Sequence, residues 1–122
     1  MIGSGRYAEL ETKARNVIQR DPESGLVWKA LGVALRMQRK DALEALERAT
    51  MLLPNDAEAH SNFGNALLDL RRLREAAVSY RRALEIAPQF AEAYSNLGNA
   101  LQGLGQFDEA VAQYQRALQM NP

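Results

Sequence analysis

Four asparagines carry the most distinctive chemistry in the chain. Asn62 and Asn65 stand three residues apart, and Asn96 and Asn99 repeat the pair 34 residues later. Asparagine is a poor helix-interior residue, so its recurrence in helix-forming surroundings argues for a use. A carboxamide offers both a donor and an acceptor, which is what the backbone of an extended peptide requires. Either these amides grip a partner's backbone, or they stabilise contacts between neighbouring segments and face water. Residue type leaves both readings open. Glu58 and Glu92 keep the same 34-residue spacing. They read more simply as first-turn carboxylates favoured by a helix dipole than as an acidic pair.

The remaining inventory excludes more than it offers. There is no cysteine, which removes disulfides, thiolate zinc sites and thiol nucleophiles together. His60 is the only histidine and reads as a packed residue with one nitrogen satisfied, since a metal site needs more ligands than it has. With no glycine-rich phosphate loop and no histidine beside a hydroxyl nucleophile, the sequence predicts no catalytic site, no metal and no cofactor. Arg71, Arg72, Arg74, Arg81 and Arg82 form a basic cluster, but Glu75 and Glu85 share its helix and no aromatic residues interleave it. That pattern is a solvated face rather than a nucleic-acid surface. Lysine plus arginine and aspartate plus glutamate are both 15, so no whole-molecule field selects a polyanion. No apolar run approaches the roughly 20 residues of a membrane span. Met1 to Gly5 lacks signal-peptide grammar and reads equally as a remnant of cloning. The cytoplasm is the default expectation.

Helices must position these groups, and the prolines mark where they end. Pro22, Pro54, Pro88 and Pro122 are spaced by 32, 34 and 34 residues, each after a helix-forming stretch. Residues 57–88 and 91–122 are identical at 17 of 32 positions. Residues 25–54 are a third copy, two residues shorter, with the deletion assigned to a tight turn at Gln38 to Asp41. Apolar residues at helical spacing, such as Tyr94, Leu97, Gly98 and Leu101 followed by Ala110, Tyr114, Ala117 and Leu118, give two amphipathic helices per copy. Residues 5–22 read as the second half of one more unit. The expectation is a single all-α domain of seven helices, one half-repeat followed by three antiparallel hairpins.

The serial pattern resembles the tetratricopeptide repeat family. The last copy carries its positions as Tyr94, Leu97, Gly98, Leu101, Ala110, Tyr114, Ala117 and Pro122, the middle copy as His60, Phe63, Gly64, Leu67, Ala76, Tyr80, Ala83 and Pro88. The first has Trp28, Leu31, Gly32, Leu35, Ala42, Leu46, Ala49 and Pro54. A helix-interior glycine costs about 1 kcal/mol against alanine, so the recurring glycine predicts close helix approach, with the small partners expected at Ala42, Ala76 and Ala110. The resemblance implies an α-solenoid with right-handed superhelical stacking, whose first helices line a concave groove, and a protein or peptide partner.

On that resemblance the groove is lined by Glu58, Ser61, Asn62, Asn65 and Asp69, then by Glu92, Ser95, Asn96, Asn99 and Gln102, with Lys29 and Arg36 flanking the apolar inner face of the first copy. Asn62 and Asn96 are similar to the asparagine ladder of O-GlcNAc transferase repeats, which also raises a substrate-recruiting fragment of a larger enzyme. The first copy departs from it, with Ala30 and Val33 at the amide positions. The family's dicarboxylate clamp does not fit. Lys29 and Asn62 match it, but Val33 stands where an asparagine is required, and Glu92 and Asn96 stand where two basic residues are required. The last helix presents Val111, Tyr114 and Leu118 on a face that a further helix would cover. It predicts self-association through the terminal helices, giving a homo-oligomer as the alternative reading.

Overall fold

The computed structural model describes residues 2–120; Met1 and the proline assigned to the end of the last repeat, Pro122, lie outside the described residues. Seven α-helices and no strand occur among the described residues: α1 (Ile2–Arg20), α2 (Gly25–Met37), α3 (Leu43–Leu52), α4 (Ala57–Asp69), α5 (Leu73–Ile86), α6 (Ala91–Gly103) and α7 (Phe107–Met120). They divide after Asn55 into two compact units. In the first, α2 packs against both α1 and α3; in the second, α4 to α7 pack as two consecutive hairpins with α5 against α6. The fold is all-α, built of helix hairpins. The half-repeat helix α1 begins earlier than the 5–22 assigned to it.

Each hairpin turns by the same device. After α2, α4 and α6, the backbone N–H groups of Lys40, Arg72 and Gln106 each donate to the carbonyl five residues back, on Leu35, Leu67 and Leu101, at 2.9 Å. The residue before each donor has positive φ: 61° at Arg39, 62° at Arg71 and 80° at Gly105. This is the Schellman arrangement, which satisfies the orphan carbonyls of a helix end through one left-handed residue. Only the last copy signals it with glycine. An L-residue in that region costs about 1–2 kcal/mol, part of which glycine returns through its freer unfolded chain. Arg71→Gly is therefore expected to raise the stability of the second unit by about 0.5–1 kcal/mol, read as a higher thermal midpoint.

The turn after α2 is intact, so the deletion falls at Asp41, the last residue of the segment assigned to it. Lys40 corresponds to Arg72 and Ala42 to Ala76, and Asp41 replaces the segment Leu73–Glu75. The loss falls in the first turn of the following helix. Accordingly α3 has 10 residues where α5 and α7 have 14, and Asp41 Oδ1 accepts the Leu43 N–H at 3.0 Å.

Glu11 on α1 ties that helix to the turn. Its carboxylate accepts from Lys40 Nζ at 2.8 Å, Arg15 Nε at 2.9 Å and Gln38 Nε2 at 3.0 Å. Lys40 first, then Arg15 and Gln38, hold the carboxyl down to about 2, well below its ordinary 4.5. A depressed folded-state value contributes stability above the ordinary value and loses it as pH falls through the folded one. Glu11→Gln should therefore melt below the unmodified chain at neutral pH, with the gap closing between about pH 4.5 and pH 2.

Packing corrects one sequence assignment. A Cβ built on Gly64 would sit 2.8 Å from Tyr80 Cε1, one on Gly98 would sit 2.6 Å from Tyr114 Cε1, and one on Gly32 would strike Leu46. The recurring glycine makes room for the bulky residue of the second helix, not for an alanine. Ala42, Ala76 and Ala110 are buried as expected. Trp28 and Tyr94, at one repeat position, are more than core filler. Trp28 Nε1 donates to the Pro22 carbonyl at 2.7 Å and Tyr94 Oη to the Pro88 carbonyl at 2.9 Å, pinning each hairpin's first helix to the preceding loop. Arg48 and Arg116, also equivalent, lie 5.8 and 5.9 Å from those two rings.

Candidate amide face of the second unit

Helices α4 and α6 are neighbours in the second unit, and their shared face carries most of the predicted groove residues. Both helices have first-turn glutamates, Glu58 and Glu92, and neither contains a lysine or arginine. Asp56 caps α4 by accepting the Ala59 N–H at 3.1 Å, whereas α6 starts without a side-chain cap.

The asparagines divide into roles that spacing did not reveal. Tyr80 Oη donates to Asn65 Oδ1 at 2.6 Å, and Asn96 Nδ2 donates to the same oxygen at 3.1 Å. One repeat later Tyr114 Oη donates to Asn99 Oδ1 at 2.6 Å, with Gln102 Oε1 at 3.0 Å as a second acceptor within reach. The pair is thus the same tyrosine–asparagine bond repeated. In the first copy the equivalent positions are Leu46 and Val33. The position pair is polar on both sides or apolar on both sides, because half of it would leave a buried polar group unsatisfied at about 1–3 kcal/mol. Matching Val33 with Leu46, Asn65 with Tyr80 and Asn99 with Tyr114 is the sequence signal that could have found it.

These bonds fix which ends of the amides face outward. Asn65 is buried and its oxygen is occupied, so its part is to orient Asn96. Asn96, half-buried, has its nitrogen engaged and its oxygen left as an acceptor. Asn99 is exposed, with its oxygen engaged and its nitrogen left as a donor. Asn62 and Ser95 are half-buried on the same face, while Glu58, Asp69, Glu92 and Gln102 are exposed around it. Ser61 is 2% exposed and packs inside rather than lining a groove, because a small side chain suits a tight helix contact. Lys29 and Arg36, both half-buried, belong to α2 in the first unit.

The other sequence candidates are placed as follows. Val111 and Leu118 on α7 are 53% and 63% exposed, and Tyr114 is half-buried. A cleft of about 350 Å³ lined by Ala91, Glu92, Ser95, Tyr114, Ala117 and Leu118 brings part of the amide face and the α7 stripe together. Three of the five clustered arginines are ion-paired: Arg72 with Glu75 at 2.6 Å, Arg81 with Glu109 at 2.6 Å and Arg82 with Glu85 at 3.8 Å. Arg72 also holds the Glu75 carboxyl below its ordinary value. Among the described residues no group of three or more histidines and carboxylates could hold a metal ion. No described helix is long and apolar enough to cross a membrane.

Comparison with known proteins agrees with this architecture. A tetratricopeptide repeat family model matches residues 91–122, and a second tetratricopeptide model matches residues 64–105. No curated protein matches the chain in sequence. Among solved structures, the crystal structure of MamA is similar with a TM-score of 0.90 at 24% identity, covering 97% of this chain and 70% of that one. A MamA structure from Desulfovibrio magneticus has a TM-score of 0.86 at 21% identity, covering 95% of this chain and 67% of that one. YrrB, described as a tetratricopeptide protein with an unusual peptide-binding site, has a TM-score of 0.86 at 28% identity, covering 99% of this chain and 63% of that one. The chain thus spans about two thirds of the length of these structures. None of them supports the likeness to O-GlcNAc transferases.

Proposed function

We propose that this tetratricopeptide repeat chain binds an extended peptide segment along the α4–α6 face of its second unit. Such repeats mediate protein–protein interaction and are generally not catalytic, so the question is where and how a partner is held. The observation that carries the reading is the orientation of the amides. Asn96 keeps a carbonyl oxygen and Asn99 a pair of N–H donors for an incoming backbone, each fixed by an internal bond at its other end. Asn62, half-buried and equivalent by repeat to Asn96, adds a third amide.

Pre-orientation lowers the entropic cost of binding, and donors alternating with acceptors match an extended chain. Such a face reads backbone more than side chains. Glu58, Asp69, Glu92, Ser95 and Gln102 at its margins would then set the preference among sequences. The peptide-binding site named for YrrB, a protein of similar fold, supports the same reading by analogy.

The test uses a random peptide library displayed on phage and selected on the full chain. A selected peptide is titrated calorimetrically against the unmodified chain and against Asn62→Ala with Asn99→Ala. Each lost neutral hydrogen bond is worth roughly 0.5–1.5 kcal/mol, so the double variant should bind about tenfold more weakly with its helicity intact. Equal affinity for both proteins would remove those amides from the site.

A further inference from the structure

The arginines clustered in and around α5 divide by partner. Arg72, Arg81 and Arg82 are ion-paired, while Arg71 and Arg74 make no ion pair among the described residues. These two line one cleft of about 320 Å³, together with Arg72, Leu73, Glu75 and Leu104. Glu75 cannot answer them. Arg72 holds both of its oxygens, donating from Nε to Oε1 at 2.9 Å and from Nη2 to Oε2 at 2.6 Å.

Both cations occupy positions that disfavour them. Arg71 takes the left-handed backbone, with φ 62°, where the last copy has Gly105. Arg74 stands in the first turn of α5, where the helix dipole opposes a cation, and the last copy has Asp108 there. One repeat later the same turn closes without either charge, through the N–H of Gln106. Side chains held at a cost that the fold does not require point to a use outside it.

Position joins this cleft to the amide face. A Cβ built on Gly103 would lie 2.6 Å from Leu73 Cδ1 and 3.6 Å from Arg71 Nη2, so the head of Arg71 reaches the last turn of α6. Gly103 is one turn past Asn99 on the same line of that helix, about 6 Å along it. The row then runs from the acceptor oxygen of Asn96, through the N–H donors of Asn99, to a guanidinium with no carboxylate.

We propose that the cleft holds an acidic side chain of the bound peptide, its carboxylate accepting from Arg71 and Arg74 and its aliphatic stem lying on Leu73 and Leu104. This rests on the peptide reading of the α4–α6 face and adds a requirement to it. An extended chain advances about 3.3 Å per residue, so the aspartate or glutamate lies about two residues past the one whose carbonyl Asn99 holds. Arginine suits the task because its planar fork matches a carboxylate.

The test takes a library-selected peptide, made with an amidated C-terminus, and a second version with its acidic residues replaced by the matching amides. Each is titrated calorimetrically against the unmodified chain, against Arg71→Gly with Arg74→Gln, and against Asn62→Ala with Asn99→Ala. The arginine variant keeps the turn, because glycine fits the left-handed position. Replacing the acid is expected to weaken binding to the unmodified chain about tenfold at low salt, and by less as salt rises. On the arginine variant the same replacement should matter by less than about twofold, a coupling that damage elsewhere in the fold could not produce. Equal losses on those two proteins overturn the proposal, as do selected peptides without an acidic residue. Full affinity in the arginine variant, with affinity lost in the amide variant, overturns it and leaves the amide face standing; full affinity in both removes the two readings together. A free C-terminal carboxylate that binds more tightly than the amide, by an amount the arginine variant abolishes, also overturns it, since the chain end is then the source.

Discussion

Gly64→Leu is expected to unfold the second unit at temperatures where the unmodified chain is folded. The reason is local. The first atom of any side chain at Gly64 would lie 2.8 Å from Tyr80 Cε1, and that ring is wholly buried with its hydroxyl bound to Asn65. The ring cannot swing out without breaking that bond and emptying its site. Overpacking of this kind typically costs 1–3 kcal/mol and occasionally more, and about 3 kcal/mol is expected here because the neighbour is fixed. Gly98→Leu is the control. Its neighbour Tyr114 is only half-buried and can turn toward solvent, so the same change should cost visibly less. Both rings make the same bond to an asparagine, so thermal melts followed by circular dichroism compare burial alone, and equal costs would count against the part assigned to the burial of Tyr80.

Leu46→Ala is expected to be comparably severe in the first unit. Leu46 is wholly buried and fills the space that Gly32 leaves, where the later copies place tyrosine. Truncating a buried leucine to alanine costs about 2–5 kcal/mol, depending on how far the surroundings collapse. Collapse is limited here because α3 is already shortened and α2 is packed on its other side by α1. Hydrogen exchange should show the loss as reduced amide protection in α2 and α3; protection unchanged in both would contradict the placement of Leu46 in the core.

The sequence made the period, the hairpins and the helix ends legible because they depend on spacing. Glycine, alanine and proline positions recur with the repeat, and the helices follow them. What depends on a side chain meeting another was legible only in part. The recurring glycine correctly signalled close approach, but its partner was assigned to Ala76 and Ala110 when it is Tyr80 and Tyr114. The left-handed turn residue was visible as Gly105 and hidden as Arg39 and Arg71, since arginine gives no hint of positive φ. At the candidate site, the asparagines stood out by type, yet the internal bonds that divide them between structural and outward roles join residues 15 and 31 positions apart. Ser61 was placed in the groove because its helix faces that way, and its small side chain took it inside instead.

The side-chain amide signals of Asn62, Asn96 and Asn99 offer the most direct measurement of peptide binding on the α4–α6 face. Their ¹⁵N–¹H resonances can be followed by nuclear magnetic resonance while a library-selected peptide is titrated into the full chain. Binding through these groups predicts that all three shift together, saturating with the same affinity that calorimetry gives, while the buried Asn65 amide moves less. Shifts confined to α7 or to the arginines of α5, with the three amides unmoved at saturation, would contradict it.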